Sequence, residues 1–347
     1  MRHTTRTVAM IALVAVSAGA RATQQASDPP MNFQLGDSVT MPTRAVSGAH
    51  ESTVAFHLDE KDLLPVSIAY DAKDRSFYVG SARKGKVVRV DEKGQESDFI
   101  RPRQDGLGQA MGMKAHAARR MLWVCSFEGV NLEGYQPEDA HASGVFVFHL
   151  DTGALIRKWA LDARGETHRF HDLALTRAND AYITHRSGEA AIYRILQNEQ
   201  KLELFMKTAG LTDINGITLS PDETTLFVAG NEGVQAVDIA TRKARRIETP
   251  EGTEMGGIDG LYHHQDGLLG IRGHSIEWYR LDDACARVTM THVLERDHPL
   301  MKVPTAGVIV GSDFYYVANA QLGAVKPDGR LAGDELTEPV VLKLPLR

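Results

Sequence analysis

Apolar residues in this chain fall into short runs broken by polar turns, and one such pattern recurs six times. The copies are VSIAYDAKDRSFYVGS from Val66, MGMKAHAARRMLWVCS from Met111, HDLALTRANDAYITH from His171, NGITLSPDETTLFVAG from Asn215, DGLYHHQDGLLGIRG from Asp259 and AGVIVGSDFYYVAN from Ala306. Each opens with a partly alternating apolar run, turns through Asp, Gly or Asn, and closes with a second apolar run. That is the signature of a β-hairpin. Two further strand-like runs follow each hairpin, as in SGVFVFHLDTGALIRKWAL and EGVQAVDIATRKARRIE. Gly and Pro punctuate the chain too often for a helix, and no stripe with a 3.6-residue period persists.

Successive copies start 45, 60, 44, 44 and 47 residues apart. Four of these intervals match the roughly 40–50 residues of a four-stranded propeller blade. The long interval carries an insertion, from about Glu128 to Ser143, placed to act as a lid. The expected fold is therefore all-β: a six-bladed β-propeller of four-stranded blades over residues 51–347. A plain β-sandwich would not repeat with this period. The run STVAF near residue 53 is expected to pair with the last blade, close the ring and protect its sheet edges.

The repeat register then predicts where function lies. In a propeller the innermost strands line a central channel and their first residues converge at one mouth. Those residues are Val66, Met111, His171, Asn215, Asp259 and Ala306. Loops joining second to third strands ring the same opening and carry Arg83, His185, Asn231, Arg272, His274 and Asn319. Three polar and three apolar positions make a two-sided pocket, a mix that suits a small molecule.

Composition alters this picture at the ends of the chain and in its partners. Arg2, His3 and Arg6 precede the apolar run VAMIALVAVSAG and the small residues Ala18, Gly19 and Ala20. Residues 1–20, or 1–22, read as a cleaved export signal, and residues 21–50 as a flexible leader. The apolar run is too short to span a bilayer. The expected location is periplasmic or secreted, with no membrane association after cleavage. Removing two arginines and no acids takes the net charge from −6 to −8, and such a chain offers nucleic acid no basic field. Cys125 and Cys285 fall in the second and fifth blades, too far around the ring to bond, so two separate buried thiols are expected.

INGITLSPDETTLFVAG and IDGLYHHQDGLLGIRG resemble consecutive blades of the SMP-30/gluconolactonase-like propellers. Paraoxonase-like and strictosidine synthase-like propellers share the pattern. The resemblance implies a divalent cation at the channel mouth and opening of lactones or related esters. Carried over, Asn215 matches the family's asparagine and Asp259 its aspartate, while His171 stands where a second asparagine is common. Asn215, Asp259 and His171 are thus the candidate metal ligands. Val66 occupies the place of the family's glutamate. With so few oxygens the site would hold a weak calcium, a zinc or manganese ion through His171, or no metal.

Read as an enzyme, the chain would use His171 as general base, oriented by Asp172 or Asp259. Rim groups Arg272, His274, His185, Asn231 and Asn319 would bind the lactone or ester substrate. The rival reading is a non-catalytic propeller that binds a small ligand or a protein at the same mouth, its metal site degenerate. A lyase or oxidoreductase on the same scaffold also stays open, because fold does not fix function. His168 lies three residues from His171 and is expected on the opposite strand face. His263 and His264 are expected in a solvated turn. No phosphate-cradling loop, Gly-x-Ser-x-Gly elbow or Cys–His pairing is present.

Overall fold

A computed structural model describes residues 50–136, 143–161, 167–332 and 336–346. The expected signal, residues 21–49 of the leader, and residues 137–142 of the expected lid lie outside them. The described strands form six four-stranded antiparallel sheets, and five of these are built from consecutive strands.

The strand β1 (Thr53–His57) precedes the first blade, which contains β2 (Pro65–Asp71), β3 (Ser76–Ser81), β4 (Val87–Val90) and β5 (Glu96–Ile100). Blade two holds β6 (Gln109–His116), β7 (Met121–Phe127), β8 (Ser143–His149) and β9 (Leu155–Ala160). Blade three holds β10 (Phe170–Leu175), β11 (Ala181–His185), β12 (Ala191–Ile195) and β13 (Leu202–Lys207). Blade four follows with β14 (Ile217–Leu219), β15 (Thr225–Gly230), β16 (Gly233–Asp238) and β17 (Ala244–Arg246). Blade five comprises β18 (Ile258–His264), β19 (Gly267–Arg272), β20 (Ser275–Leu281) and β21 (Val288–Arg296). The last blade holds β22 (Gly307–Val310), β23 (Asp313–Val317) and β24 (Val340–Pro345), and β1 supplies its outermost strand.

Ring closure rests on that last pairing. β1 runs antiparallel to β24, with Thr53 opposite Lys343 and His57 opposite Val340. Side chains reinforce it: Glu295 accepts from the Ser52 amide at 2.8 Å, and Tyr316 donates to Ser52 Oγ at 3.0 Å. The rings of Phe56 and Tyr315 both pack on Phe77, at 5.3 and 4.7 Å, which joins the last blade to the first.

The apolar core lies between neighbouring blades and not in one central mass. Ala69, Tyr78 and Ile100 of the first blade pack on Met113, Leu122 and Phe148 of the second. Equivalent layers join blades three and four, four and five, and five and six. Alternation in the inner strands thus buries residues on both faces of each sheet. Trp123 is fully buried, stacks on Trp159 at 5.6 Å and donates its Nε1–H to Asn179 at 3.1 Å. Both cysteines are free thiols, as expected, although Cys285 is only half-buried; it sits at a left-handed turn position, φ 51°.

Deleting residues 1–57 would remove β1 and leave β24 as an unpaired edge of apolar residues. The expected outcome is a markedly lower melting temperature and concentration-dependent aggregation. Calorimetry with light scattering checks this, and an unchanged Tm would contradict a closing role for β1.

Candidate functional site

Four of the six inner strands share an irregularity at their starts. Register shifts fall between Pro65 and Ser67, Ala110 and Met113, Phe170 and Leu173, and Ile258 and Leu261. Each is a β-bulge, which frees a residue from the ladder and re-aims its side chain. Val66, Met111, His171 and Asp259 all sit in these bulges. Asn215 comes just before β14, its amide bonded to the Ala229 carbonyl at 2.9 Å.

Close packing of the inner strands needs glycine beside the bulges. A Cβ on Gly112 would lie 2.4 Å from Oδ1 of Asp172, and one on Gly216 would lie 2.7 Å from the Asp259 carbonyl. The channel between the strands narrows to a void of about 20 Å³, room for about one water molecule. Val66, Lys114, His171, Asp172, Asp259 and Tyr262 are among its lining residues.

Two of the predicted groups meet here directly. Nε2 of His171 lies 4.0 Å from Oδ1 of Asp259, inside ion-pair range and outside hydrogen-bond range. Burial holds the His171 imidazole well below its usual pKa of 6.5, and the charge of Arg186 adds to this. The ring is therefore neutral near pH 7. Burial raises the Asp259 carboxyl from 3.8 to about 7; Arg186 opposes the shift and the Asp172 charge adds to it. Nδ1 of His171 and Oδ1 of Asn215 are buried without a hydrogen-bond partner among the described residues.

Asp172 has a different task. Its Oδ1 accepts from the Leu173 amide at 2.8 Å and from Lys114 Nζ at 3.3 Å, and its own amide donates to Thr184 Oγ1 at 3.0 Å. Thr184 in turn donates to the Asn215 carbonyl at 2.8 Å. Asp172 thus ties β10 to its neighbours, and its charge acts on Asp259.

The rim groups do not line the void. His185 is buried, shares a 3.0 Å hydrogen bond with His168 and packs on Phe170 and Tyr193. Burial lowers its pKa to about 4. Asn319 caps the last strand, accepting from the Val340 amide at 2.6 Å and donating to the Glu338 carbonyl at 3.1 Å. Arg272 lies 3.5 Å from Glu254 and 3.8 Å from the buried Glu277. His274 is exposed and 3.9 Å from Asp297, and exposed Asn231 turns toward Thr212 at 3.4 Å. Arg83 donates to the carbonyls of Asn131 and Gly329, at 3.3 and 2.8 Å, clasping the start of the blade-two insertion to a loop of the last blade.

Lys114 and Tyr262 line the void, and Arg186 acts on it through its charge, without standing at the predicted mouth positions. Tyr262 accepts a 2.6 Å bond from the Gly307 amide, and Lys114 sits 5.7 Å from its ring centre. Lys114 did carry a signal: a lone cation alternating with Gly112 and His116 along an innermost strand.

Among the described residues, no group of three or more His, Cys, Asp or Glu side chains is gathered to hold a metal ion. Calcium takes about six to eight oxygens. Of the void-lining residues only Asp172 and Asp259 carry carboxylates, and Asp172 is already engaged by Lys114 and the Leu173 amide. Asn215 and Met111 do not line the void, Val66 and Ala306 offer no side-chain oxygen, and the positive charge of Arg186 acts on Asp259. The residues present do not fit calcium.

Because the folded-state pKa of Asp259 is raised, its contribution to stability is lost as pH climbs from the unfolded value toward about 7. Asp259→Asn keeps the shape and removes the buried charge. The variant is expected to melt above the wild type, with a gap that widens between about pH 4 and about pH 7. Melting curves across that range test it, and a gap independent of pH would contradict it.

No protein-family model matches the sequence, and no curated protein matches it in sequence. Solved structures match its shape. The major allergen Mala s 1 of Malassezia sympodialis aligns with TM-score 0.63 at 17% identity, over 85% of this chain and 96% of the allergen. A calcium-binding protein, regucalcin, from Agrobacterium tumefaciens aligns with TM-score 0.58 at 15% identity, over 84% and 94%. A gluconolactonase of Xanthomonas campestris aligns with TM-score 0.56 at 14% identity, over 82% and 86%. The structural neighbours of this chain thus include six-bladed propellers of the SMP-30/gluconolactonase family, and the fold read from its repeat is the fold it has.

Proposed function

We propose that the chain is an exported hydrolase that opens a small lactone or ester at the channel mouth. The observation that carries this reading is the Asp259 carboxyl, held at about pKa 7 beside a neutral His171 over a void sized for water. A general base works best with a pKa near the working pH. That favours Asp259 as the base and gives His171 a different role from the one its sequence position suggested. In this scheme Asp259 takes a proton from a water, whose oxygen then attacks the carbonyl carbon. The neutral imidazole donates a hydrogen bond to the developing oxyanion. The tetrahedral intermediate collapses, the ring C–O bond breaks, and the leaving alkoxide takes the proton from Asp259. Asp172 keeps the pKa of Asp259 high through its charge and, with Thr184, holds the bulge in shape. Arg186, paired with Asp213 at 3.0 Å, adds positive potential at His171 and Asp259.

The shared fold with a gluconolactonase agrees with a lactone substrate, and the amino-terminal signal pattern supports a periplasmic or secreted location. A zinc or manganese ion on His171, Asn215 and Asp259 is the rival arrangement, and a non-catalytic ligand-binding propeller is the other. The test is hydrolysis of a panel of sugar lactones and aryl esters, with metal analysis of the same protein. Expected are activity without stoichiometric metal, a rise in kcat/KM through about pH 7, and a loss of about 10²–10⁴-fold in Asp259→Asn. Asp172→Asn should shift the pH limb downward, because it removes a charge that raises the Asp259 pKa. No hydrolysis of any member would leave the binding reading, and bound zinc or manganese would replace the metal-free scheme.

A further inference from the structure

The other end of the channel holds a larger cavity. Where the first hairpin turns of blades two to four come together with the end of β18, a bowl of about 790 Å³ opens. Small-molecule sites commonly measure about 300–1,000 Å³, so this end has the volume of a ligand pocket. Lys114 lines both spaces and stands between them.

The polar groups of the bowl are unequally satisfied. Its acid, Glu223, accepts from the Arg177 amide at 2.8 Å, and its carboxylate lies 3.5 Å from the Arg177 guanidinium. The Lys114 ammonium has three donors and, among the described residues, Asp172 at 3.3 Å as its one hydrogen-bond partner. The rings of His116 and His263 line the bowl with no hydrogen bond to any described residue. His263 and His264 do not lie in a solvated turn: both are the half-buried last residues of β18, the His263 amide donating to Thr218 Oγ1 at 3.2 Å and its ring 6.2 Å from that of Phe227. The bowl thus offers spare nitrogen donors while its carboxylate is already neutralised.

We infer that this bowl is a second ligand site, for a small molecule carrying a carboxylate or phosphate group, held by Lys114, His116 and His263. An oxyanion supplies acceptors only, which is what these donors lack, and charge-assisted bonds of this kind are the stronger ones. The half-buried walls limit competition from water. Lys114 also bonds Asp172 at the upper void, but His116 and His263 take no part in the chemistry proposed there, so the two histidines report on this site independently of the hydrolase reading.

The test is titration of the full chain with inorganic phosphate and, separately, with citrate at low ionic strength. Histidine ring resonances and calorimetry are the readouts, and the two probes distinguish the anion types. Saturable shifts of the His116 and His263 resonances are expected with at least one probe. The double variant His116→Ala with His263→Ala should weaken binding by about tenfold or more, and Asp259→Asn should leave it unchanged. Absence of saturable shifts with both probes would overturn the proposal. So would binding that survives the double variant and disappears in Asp259→Asn, which would place the anion at the upper mouth. The resonances of the unaltered protein decide the matter even where the double variant fails to fold.

Discussion

Hydrogen bonds between β1 and β24 hold the molecule in a ring, and the site exists only while the ring is closed. Each blade buries its apolar faces against two neighbours, so a gap at one junction would expose two inner layers at once. Ser52, Glu295, Tyr316 and the Phe56–Phe77–Tyr315 stack concentrate contacts at that junction. Closure also brings residues from distant parts of the chain together. His171 and Asp259 are 88 positions apart in sequence and 4.0 Å apart in space.

Closure alone would fill the channel with backbone and apolar side chains. Bulges at the starts of four of the six inner strands change that outcome by turning a residue of each out of the ladder. Where that residue is Val66 or Met111, the bulge is apolar packing. At His171 and Asp259 it puts two titratable groups in a space too small to hydrate them fully. Desolvation then drives both toward their neutral forms, moving the imidazole pKa down and the carboxyl pKa up. The fold gains nothing from the ionised Asp259. That is the pattern expected where stability is traded for reactivity.

Hairpin patterning, four near-equal intervals and the STVAF strand made the blade count and the closing strand legible in the sequence. Register likewise placed Val66, His171, Asp259 and Ala306 on one void, because strand order and period-two alternation fix where a strand begins and which face it shows. The rim was less legible. A polar residue in a loop between second and third strands can point inward, or turn back to cap a strand as Asn319 does, or pair with a buried acid as Arg272 does. His185 ends a strand and buries itself against His168 and aromatic rings, which its place in the repeat could not reveal. Lys114 is not legible as a site residue because its partner Asp172 belongs to the next blade.

The sequence by itself determined the class of fold, the number of blades and four of the residues on the void, Val66, His171, Asp259 and Ala306, since these follow from local patterning and its period. Only the tertiary structure decided the chemical state of those residues. Charge, burial and hydrogen bonding at His171, Asp172 and Asp259 come from Arg186, Lys114, Thr184 and the neighbouring blades. Such terms depend on distance in space, which no spacing along the chain encodes.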